Sequence, residues 1–454
     1  MTETKQNTAK HHGFGSKLGF VLAAAGSAVG LGNIWRFPYL AAKYGGGIFL
    51  LVYIILAVTF GFSLMITEIA IGRKTGKSVG QAYTAINRHF KPLGWVATAV
   101  PMIIFPYYCV IGGWVLKYLS VFATFSGHEA ATNPDYFNGF IANSWESLLF
   151  LSIFVILTAS VVILGVQKGI EKISKILMPV LIIMTVAVAI YSLTLDGAID
   201  GLKFYLLPDF SKFSFDTVIA AMGQLFYSMS LAMGIMITYG SYMRKDASIG
   251  SSVRQIEIFD TGVAFLSGLM IIPAVVAFSG GDPSAVNAGP GLMFISLPKV
   301  FDSMPGGQIA GPVFFILVAL AALTSSISLM ETIVAVICEK TKQSRRKISV
   351  IVLLAAIAFG MVSVLGYGVW SDFTIFGKQL LDFFDFLSNN ILMPLVALFT
   401  CILIGYVVKT TYVESEVELN ARFRSKYIYR VMVKYIAPIF LLLIFIWSVF
   451  MPSL

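Results

Sequence analysis

Charged residues are scarce in this chain. Asp, Glu, Lys and Arg make up only 12% of its 454 residues, whereas 57% of the residues are apolar. Soluble domains carry about 25% charged residues. Because a water-facing surface cannot be built from so few charges, the composition excludes an ordinary soluble protein and predicts a surface that meets lipid.

Cysteine is equally scarce, and Cys109, Cys338 and Cys401 all lie in apolar stretches. An odd number of cysteines without paired spacing gives neither a disulfide framework nor a zinc site. We interpret the three as small buried apolar side chains. A cleavable signal peptide is not expected, because residues 1–16 are polar and the apolar run that follows is too long.

No nucleophile, base and orienting group stand at catalytic spacing, so the sequence predicts that the chain is not an enzyme. The stretch Gly72–Ser78 resembles a phosphate-binding loop, but it has three residues between its glycines where four are needed. It also follows an apolar run instead of a strand. The adjacent His11 and His12 lack a third ligand for a metal.

Long apolar runs, in contrast, are abundant. A helix needs about 20 residues to cross about 30 Å of hydrocarbon, and helices satisfy their own backbone groups in lipid. The eleven candidate spans lie near 17–40, 44–71, 93–125, 147–164, 169–194, 215–242, 256–280, 307–339, 347–366, 376–408 and 430–451. The sequence therefore predicts an all-α integral membrane protein, in which the polar stretch 409–430 could form a short cytoplasmic helix.

The distribution of the basic residues predicts the orientation of the chain in the membrane. With the N-terminus inside, 25 of the 32 Lys and Arg residues fall in cytoplasmic segments. We expect a multi-pass protein of the cell (plasma or inner) membrane, with a cytoplasmic N-terminus and an extracytoplasmic C-terminus. The net charge of +9 is then a topology signal, and nucleic acid is not an expected partner.

The first span is a poor continuous helix. Gly26, Gly30 and Gly32 fall within seven residues and are followed by Asn33 and Arg36. Each glycine costs about 1 kcal/mol relative to alanine in a helix interior. Close packing through small residues would explain Gly26 and Gly30, but not an amide and a charge at the same depth. The pattern favours a broken helix with a binding site at the break.

The sixth span contains a similar feature, since Tyr227, Ser228, Ser230 and Gly234 lie in its middle. Spans one and six are the first members of two five-helix halves. Interrupted helices at matching positions in two halves are the best sequence indicator of a transporter site. Freed N–H groups at such breaks favour an anionic group, whereas freed carbonyls favour a cation.

Oxygen-bearing side chains in two further spans suit a cation. Thr324 and Ser325 are adjacent hydroxyls in the eighth span, and Asp260 is a lone carboxylate in the seventh. A buried ionised carboxylate is costly without a partner. Either a bound cation supplies that partner, or the group is protonated, which leaves a role for protons open.

At these residues the sequence resembles the neurotransmitter:sodium symporter family, and most of all its bacterial members that carry hydrophobic or aromatic amino acids. The resemblance extends over nearly the whole chain. It rests on the blocks Gly26–Pro38, Glu68, Tyr107–Tyr108, Gln224–Tyr242, Ala321–Ser326 and Asp382–Asp385.

The resemblance implies a LeuT-type fold of about 11 transmembrane helices, in which helices 1 and 6 are broken. Two inverted five-helix repeats would be followed by one extra helix. We expect a cytoplasmic tail at 1–16, the repeats at 17–194 and 215–408, and the extra helix at 430–451.

The resemblance also implies a substrate site and two sodium sites, with no organic cofactor. The substrate would contact Ala28, Leu31, Gly32, Ile104, Tyr108, Tyr227, Ser228, Ser230, Met233, Ser325 and Leu329. The first sodium site would use Ala28, Asn33, Ser228 and Asp260, and the second Gly26, Val29, Ala321, Thr324 and Ser325. Because the pocket lining is mostly apolar and roomy, we expect a large neutral amino acid.

Gates on both sides of the site are implied as well. Arg36 and Asp385, with Gln224 nearby, would form the outer gate. Glu339 would form the inner gate with Ser241 and Tyr242. The basic partner that the family places in the N-terminal tail is displaced here, where His11 stands at that position and Lys10 precedes it.

Three further features bear on the mechanism. Glu68 would accept hydrogen bonds from freed amides of span six. Because Asp260 already supplies a negative charge, we expect chloride independence. Gly169 and Pro179 have the spacing that lets the cytoplasmic half of the fifth helix unwind in related transporters, although an ordinary proline kink is the alternative.

Three functions remain open from the sequence. Sodium-driven uptake of an amino acid by alternating access is the first. The second is a proton-coupled transporter that uses Asp260 or Glu331, and the third is a receptor or channel on the same scaffold. A channel should show a continuous polar stripe, whereas here the polar residues cluster at mid-membrane breaks. The oligomeric state is not predicted.

Overall fold

The computed structural model describes residues 13–124, 126–133, 135–282, 286 and 290–450, with the side chains of residues 449 and 450 left out. Within these ranges the chain is helical throughout. Two isolated bridges, Gly46 with Pro208 and Ile375 with Lys378, are the only β pairing that the described residues form. The predicted all-α class is confirmed.

The first half of the chain ends with the fifth apolar helix and the short helix after it. Its helices are α1 (Lys17–Ala28), α2 (Gly32–Lys43), α3 (Gly47–Thr75), α4 (Val79–Ile86), α5 (Arg88–Ala123), α6 (Gly127–Thr132), α7 (Tyr136–Ala142), α8 (Ser144–Ile163), α9 (Val166–Leu193) and α10 (Ala198–Leu206). The longer helices contain π-helical turns, as at Ala57–Gly61 and Val166–Glu171.

The second half repeats the alternation of long apolar helices with short connecting ones. Its helices are α11 (Phe215–Ser228), α12 (Ile235–Ser241), α13 (Ile249–Phe278), α14 (Leu297–Ser303), α15 (Gly307–Thr341), α16 (Arg345–Tyr367), α17 (Leu380–Val407), α18 (Thr411–Val417) and α19 (Lys426–Ser448).

Nine described helices are long and apolar enough to cross a membrane, and the bent pair α1 and α2 makes a tenth candidate. The sixth predicted span, 215–242, consists of α11 and α12, which have 14 and 7 residues and are each too short to cross alone. The count of eleven crossings therefore stays a prediction that requires this pair to act as one span. The inverted relation between the two halves also stays a prediction.

Burial separates central helices from peripheral ones. The most apolar 18-residue stretch of α15 is 78% buried inside the molecule, whereas that of α9 is 33% buried and that of α19 is 28% buried. Large apolar side chains such as Ile183 and Ile190 on α9 point outward. Because lipid replaces protein contacts for these side chains, the peripheral helices surround a core formed by α1, α5, α13 and α15.

The short helix α18 forms within the polar stretch 409–430, where a cytoplasmic helix was considered. Glu416 of α18 pairs with Arg73 at the end of α3, with 2.7 Å between Oε1 and Nε. Glu414 pairs with Arg430 at 2.7 Å and with Lys426 at 3.2 Å. These ion pairs fasten α18 to α3 and α19 on the side to which the charge distribution assigns the N-terminus.

Candidate functional site

The first span is interrupted between α1 and α2. The helix ends at Ala28, Val29 is extended at φ −73° and ψ 98°, and a π-helical turn begins at Gly32. The two helix axes bend by 53°. The break leaves the last carbonyls of α1 without helical partners inside the protein.

Those carbonyls converge on α15. The Ser325 hydroxyl donates a hydrogen bond to the Ser27 carbonyl at 3.0 Å and lies 3.4 Å from the Gly26 carbonyl and 3.5 Å from that of Val29. Several neutral oxygens around one point suit a hard cation. The family resemblance implies that three of these residues, namely Gly26, Val29 and Ser325, belong to the second sodium site.

The other two residues predicted for that site lie beside it. The Thr324 hydroxyl donates within its own helix to the Ala321 carbonyl at 3.0 Å. A β-carbon built on Gly26 would lie 3.3 Å from the Thr324 Cβ. The structure therefore brings together all five residues predicted for the second cation.

Another group of oxygens surrounds Asp260, which is fully buried. We call this group the first oxygen cluster and the group around Ser325 the second oxygen cluster. Its Oδ1 accepts hydrogen bonds from Asn33 Nδ2 at 2.8 Å and from the Ser228 hydroxyl at 2.7 Å. Its Oδ2 accepts from the Tyr53 hydroxyl at 3.3 Å. Among the described residues no cationic side chain pairs with Asp260, so a carboxylate at this depth calls for a bound cation or a proton.

A cavity lies between the two broken helices. Its lining includes every residue predicted to contact the substrate: Ala28, Leu31, Gly32, Ile104, Tyr108, Tyr227, Ser228, Ser230, Met233, Ser325 and Leu329. Its walls are mostly apolar. The Tyr108 hydroxyl is buried in this cavity close to the Ser325 hydroxyl and the Leu31 backbone, but it has no hydrogen bond of regular geometry within the described part of the chain. Such a donor suits a polar group of a ligand.

The cavity is smaller than the roomy pocket that we expected, at about 30 Å³, which is room for about one water molecule. The tyrosine rings take up the space. A β-carbon on Gly32 would lie 2.5 Å from the Tyr227 ring, and one on Gly30 would lie 3.3 Å from the Tyr108 hydroxyl. A large ligand can enter this conformation only if Tyr227 moves.

The second break, between α11 and α12, is held by side chains from two other helices. Ser230 and Ala232 adopt left-handed backbone angles, with φ of 52° and 59°. The Ser230 hydroxyl donates to the Ser27 carbonyl at 3.0 Å, which joins the two breaks directly. Glu68 accepts a hydrogen bond from the freed Ala232 amide at 2.7 Å. This strained segment therefore depends on its surroundings.

Arg36 and Asp385, the pair predicted for the outer gate, line one vestibule of about 620 Å³ but do not form an ion pair with each other, and Gln224 is not part of its lining. Asp385 accepts hydrogen bonds from Tyr107 at 3.1 Å and from Asn389 at 2.6 Å. The Arg36 guanidinium lies 5.4 Å from the centre of the Tyr227 ring. Gln224 donates to the Gly32 carbonyl at 2.8 Å. Tyr227 therefore lies between Arg36, which lines the vestibule, and the cavity.

The inner gate differs from the expectation. The Tyr242 hydroxyl donates to Glu331 at 2.9 Å, and Glu331 forms an ion pair with Arg345. Glu339 lies two turns further along α15, where it accepts from the Ser78 amide at 3.0 Å and pairs with Lys77. The carboxylate that meets Tyr242 is therefore Glu331, because α15 turns Glu339 towards the start of α4.

The start of α1 is fastened to α9 by a carboxylate. Glu171 accepts hydrogen bonds from the Gly15 amide at 2.7 Å and from the Ser16 hydroxyl at 2.8 Å. We call these three residues the inner latch. Phe14 packs beside the latch, and its amide donates to the Tyr242 carbonyl at 3.1 Å. Lys10 and His11, the tail residues considered for this position, lie outside the described residues.

The glycine and proline predicted to weaken the fifth helix lie next to this latch and to the second oxygen cluster. Gly169 is in the π-helical turn Val166–Glu171, and Pro179 is inside α9. The Met178 sulfur would lie 3.3 Å from a β-carbon on Gly26. The N-terminal part of α9 thus contacts both the start and the end of α1.

Sequence reasoning missed two residues of the site and assigned another only a possible role in proton coupling. Tyr53 carries a polar hydroxyl in a mostly aliphatic stretch of α3. That hydroxyl could have indicated a contact with a polar group such as Asp260. Glu171 looked like an ordinary charge at a helix start. Glu331 was considered only for protons, yet its carboxylate is already engaged by Tyr242 and Arg345.

The chain is similar to known transporters over nearly its whole length. Residues 11–133 and 141–453 match the Sodium:neurotransmitter symporter family. An uncharacterized sodium-dependent transporter, YhdH of Bacillus subtilis, is 36% identical over 437 residues, which cover 95% of this chain and 96% of YhdH. An uncharacterized sodium-dependent transporter of Haemophilus influenzae is 35% identical over 463 residues, 98% of this chain and 99% of that protein.

A solved structure has the same fold. The crystal structure of MhsT in complex with L-phenylalanine is 38% identical and superimposes with a TM-score of 0.86, covering 96% of this chain and 99% of MhsT. The likeness confirms the LeuT-type fold that the sequence predicts. The relatives are transporters and not enzymes. The chain is a member of the sodium:neurotransmitter symporter family, a family of sodium-dependent membrane transporters.

Proposed function

We propose that this protein takes up a neutral hydrophobic or aromatic L-amino acid together with two sodium ions by alternating access. The observation that carries the proposal is the pair of oxygen clusters, one around Asp260 and one around Ser325, on either side of an apolar cavity at two helix breaks. The likeness to a structure bound to L-phenylalanine supports the choice of substrate.

The substrate carboxylate would meet the backbone at Leu31 and Gly32 and the hydroxyl of Tyr108. Freed N–H groups at the start of α2 favour an anion. The amino group would meet carbonyls near Ala28 and Tyr227. Because the rest of the lining is mostly apolar, the side chain of a hydrophobic or aromatic amino acid would fit best once Tyr227 has moved.

The first sodium ion would bind among Asp260, Asn33, Ser228, the Ala28 carbonyl and the substrate carboxylate. Asn33 holds Asp260 at 2.8 Å and also accepts from the Gly30 amide at 3.1 Å, so it links the ion site to the backbone of the break. Sharing the ion between protein and substrate would make substrate affinity depend on sodium.

The second sodium ion would bind at the carbonyls of Gly26, Val29 and Ala321 and the hydroxyls of Thr324 and Ser325. These oxygens belong to α1 and α15, so the ion would hold the two helices together. Each sodium ion also gains about 2.3 kcal/mol per 100 mV on moving inward across the membrane. That gain would drive accumulation of the substrate.

Transport would be chloride-independent, because the Asp260 carboxylate supplies a fixed negative charge beside the first sodium ion. Arg36 and Asp385 would close above Tyr227 on the outside. On the inside, Tyr242 with Glu331 and Arg345 would part when α1 and α9 move, after unwinding between Gly169 and Pro179.

A scintillation-proximity binding screen of the common amino acids, with and without sodium, tests this proposal. We expect a hydrophobic or aromatic amino acid to bind only with sodium. Binding that persists in potassium or choline would favour a proton-coupled transporter. Sodium-dependent binding without uptake into proteoliposomes would favour a receptor.

The Asn33→Ala variant tests the first sodium site in the same assay. Removing a hydrogen bond to a charged group costs about 1.5–3 kcal/mol, so apparent sodium affinity should fall roughly ten- to hundredfold. Asn138→Ala, which removes an exposed amide on α7, serves as the control. Unchanged sodium dependence in Asn33→Ala would contradict the assigned site.

A further inference from the structure

A crevice on the lipid-facing side of the molecule runs between α3 and α13, apart from the substrate cavity. Its volume is about 610 Å³. Apolar side chains form its walls, namely Ile54, Val58 and Phe62 of α3 with Ile258 and Phe265 of α13. Val58 is 55% exposed and Ile258 is 70% exposed, so the crevice is open to the surrounding hydrocarbon.

The crevice contains a buried carboxyl group that the transport site does not use. Glu257 is only 7% exposed, and its Oε1 has no hydrogen-bond partner among the described residues. The Thr261 hydroxyl, one turn further along α13, is likewise buried and unpartnered within that part of the chain. Because such groups are costly in a membrane without a partner, they indicate a ligand that donates hydrogen bonds.

A cationic side chain lies at the end of the same crevice where α13 begins. Arg254 precedes Glu257 by three residues, so the two side chains lie about one turn apart on α13. The Arg254 guanidinium lies 5.9 Å from the centre of the Phe62 ring and forms no ion pair within the described ranges. Ser425, at the start of α19, closes this end of the crevice.

These groups together match a zwitterionic amphiphile. We propose that the crevice binds one phospholipid with a primary ammonium headgroup, phosphatidylethanolamine. Its phosphate pairs with Arg254, its ammonium donates hydrogen bonds to Glu257, and an acyl chain lies along Val58 and Ile258. A choline headgroup has no N–H to donate, and a glycerol headgroup has no positive charge for Glu257.

The bound lipid connects two helices that carry the first oxygen cluster. Ile54 of the crevice follows Tyr53, which donates to Asp260, and Glu257 lies one turn before Asp260 on α13. The side chains of Tyr53 and Asp260 point into the bundle, whereas those of Ile54 and Ile258 line the outside. The lipid therefore braces α3 against α13 without entering the ion site.

Native mass spectrometry of the purified full-length protein tests the assignment. The protein is exchanged into an equimolar mixture of phosphatidylethanolamine, phosphatidylcholine and phosphatidylglycerol, and the retained lipids are counted. Wild-type protein should retain one phosphatidylethanolamine, with a preference of roughly tenfold over the other two lipids, as expected for a charge-assisted hydrogen bond.

Two variants separate the headgroup contact from the space that the lipid fills. Glu257→Gln should bring the preference close to parity. Gly262→Leu should remove the retained lipid, because a β-carbon at Gly262 meets nothing within 4 Å and a leucine side chain would fill the crevice. The matched controls are Glu129→Gln, an exposed carboxylate, and Gly250→Leu, a position on α13 with equally open space.

Sodium-dependent substrate binding, measured on every variant, shows that each one is folded. Equal retention of the three lipids by wild-type protein, or a preference for phosphatidylglycerol, would overturn the proposal. So would an unchanged preference in Glu257→Gln, or an unchanged number of retained lipids in Gly262→Leu.

Discussion

At the scale of single residues, Asp260 decides what the site can bind. Three neutral donors, Asn33, Ser228 and Tyr53, surround it, and Asn33 follows the break in the first span. Neutral donors stabilise a carboxylate but do not cancel its charge. A monovalent cation beside the carboxylate would cancel it, which is why sodium binding and burial are compatible here.

Tyr53→Phe tests this account at the residue that sequence reasoning missed. The variant loses the hydroxyl that faces Asp260 but keeps the ring, which packs 4.9 Å from the Phe37 ring centre. A hydrogen bond to a charged group at 3.3 Å is long, so we expect a loss of about 1 kcal/mol and a three- to tenfold weaker sodium affinity. Titrating substrate binding with sodium measures this change in sodium affinity.

Tyr83→Phe is the matched control, because it removes an equally buried hydroxyl that pairs with Thr400 at 2.7 Å, away from the site. If both variants shift sodium affinity equally, Tyr53 acts through stability alone and its assignment to the ion site fails.

At the scale of elements, the inner latch couples two helices. Glu171 belongs to the π-helical turn that starts α9, and it caps the start of α1 through Gly15 and Ser16. If α9 unwinds near Gly169, the capping contacts are lost at the same time. Opening of α1 towards the inside and exposure of the second oxygen cluster would then be one event.

Glu171→Ala should therefore favour the inward-open state, on the order of tenfold, since the two charge-assisted contacts to the start of α1 are lost, together with the ion pair to Lys175 within α9. The measurement is the rate at which a cysteine at Thr238, buried on α12, reacts with an impermeant thiol reagent added from the inner side. Cys338 is changed to serine in this background. The rate should rise in Glu171→Ala and stay unchanged in Glu418→Gln; equal rates in both would count against the latch.

The docking of α18 should depend on pH. Burial alone would raise the pKa of Glu414, but hydrogen bonds from Arg430, Thr410 and Lys426 lower it from 4.5 to about 2. Because the folded-state pKa is lowered, the contribution to stability is complete above pH 4.5 and is lost as the pH falls towards 2.

Glu414→Gln should accordingly lower the thermal unfolding temperature at pH 7, and the difference from wild-type protein should shrink below pH 4.5. A melting series from pH 7 to pH 3 measures the difference. A difference in unfolding temperature that stays constant from pH 7 to pH 3 would show that ion pairs of Glu414 do not contribute to stability.

The sequence predicted where the helices form better than it predicted which residues of neighbouring helices meet. The apolar runs identified the helices because hydrocarbon requires long uncharged stretches. The glycines of the first break and the lone Asp260 stood out because both are costly within a membrane. The choice between Glu331 and Glu339, about two turns apart on α15, depends on how far that helix is shifted along its axis relative to α12, and no local pattern encodes this shift.

The size of the cavity could not be predicted either. The resemblance implied eleven of the fourteen lining residues and missed Ser27, Gly30 and Ile235. Whether the lining encloses a large space depends on the position of Tyr227. Its ring lies against Gly32 in this structure, with Arg36 above it. The sequence indicates which side chains line the cavity, whereas the conformation determines the distances between them and so the volume of the cavity.

At the scale of the whole molecule, the open vestibule and the closed inner side describe one stage of a transport cycle. The outer pair Arg36 and Asp385 is separated around a space of about 620 Å³. On the opposite side, Tyr242, Glu331 and Arg345 are linked, and Phe14 packs against Tyr239 at 5.6 Å. These contacts therefore close the inner side, while on the outer side Tyr227 lies between Arg36 and the cavity.

The most direct test of the account is uptake into proteoliposomes under an imposed sodium gradient. With sodium outside and potassium inside, the labelled amino acid found in the binding screen should accumulate above its external concentration. Accumulation should persist when gluconate replaces chloride and should stop when choline replaces external sodium. Accumulation that continues in choline, or that follows a proton gradient instead, would contradict sodium coupling at Asp260 and Ser325.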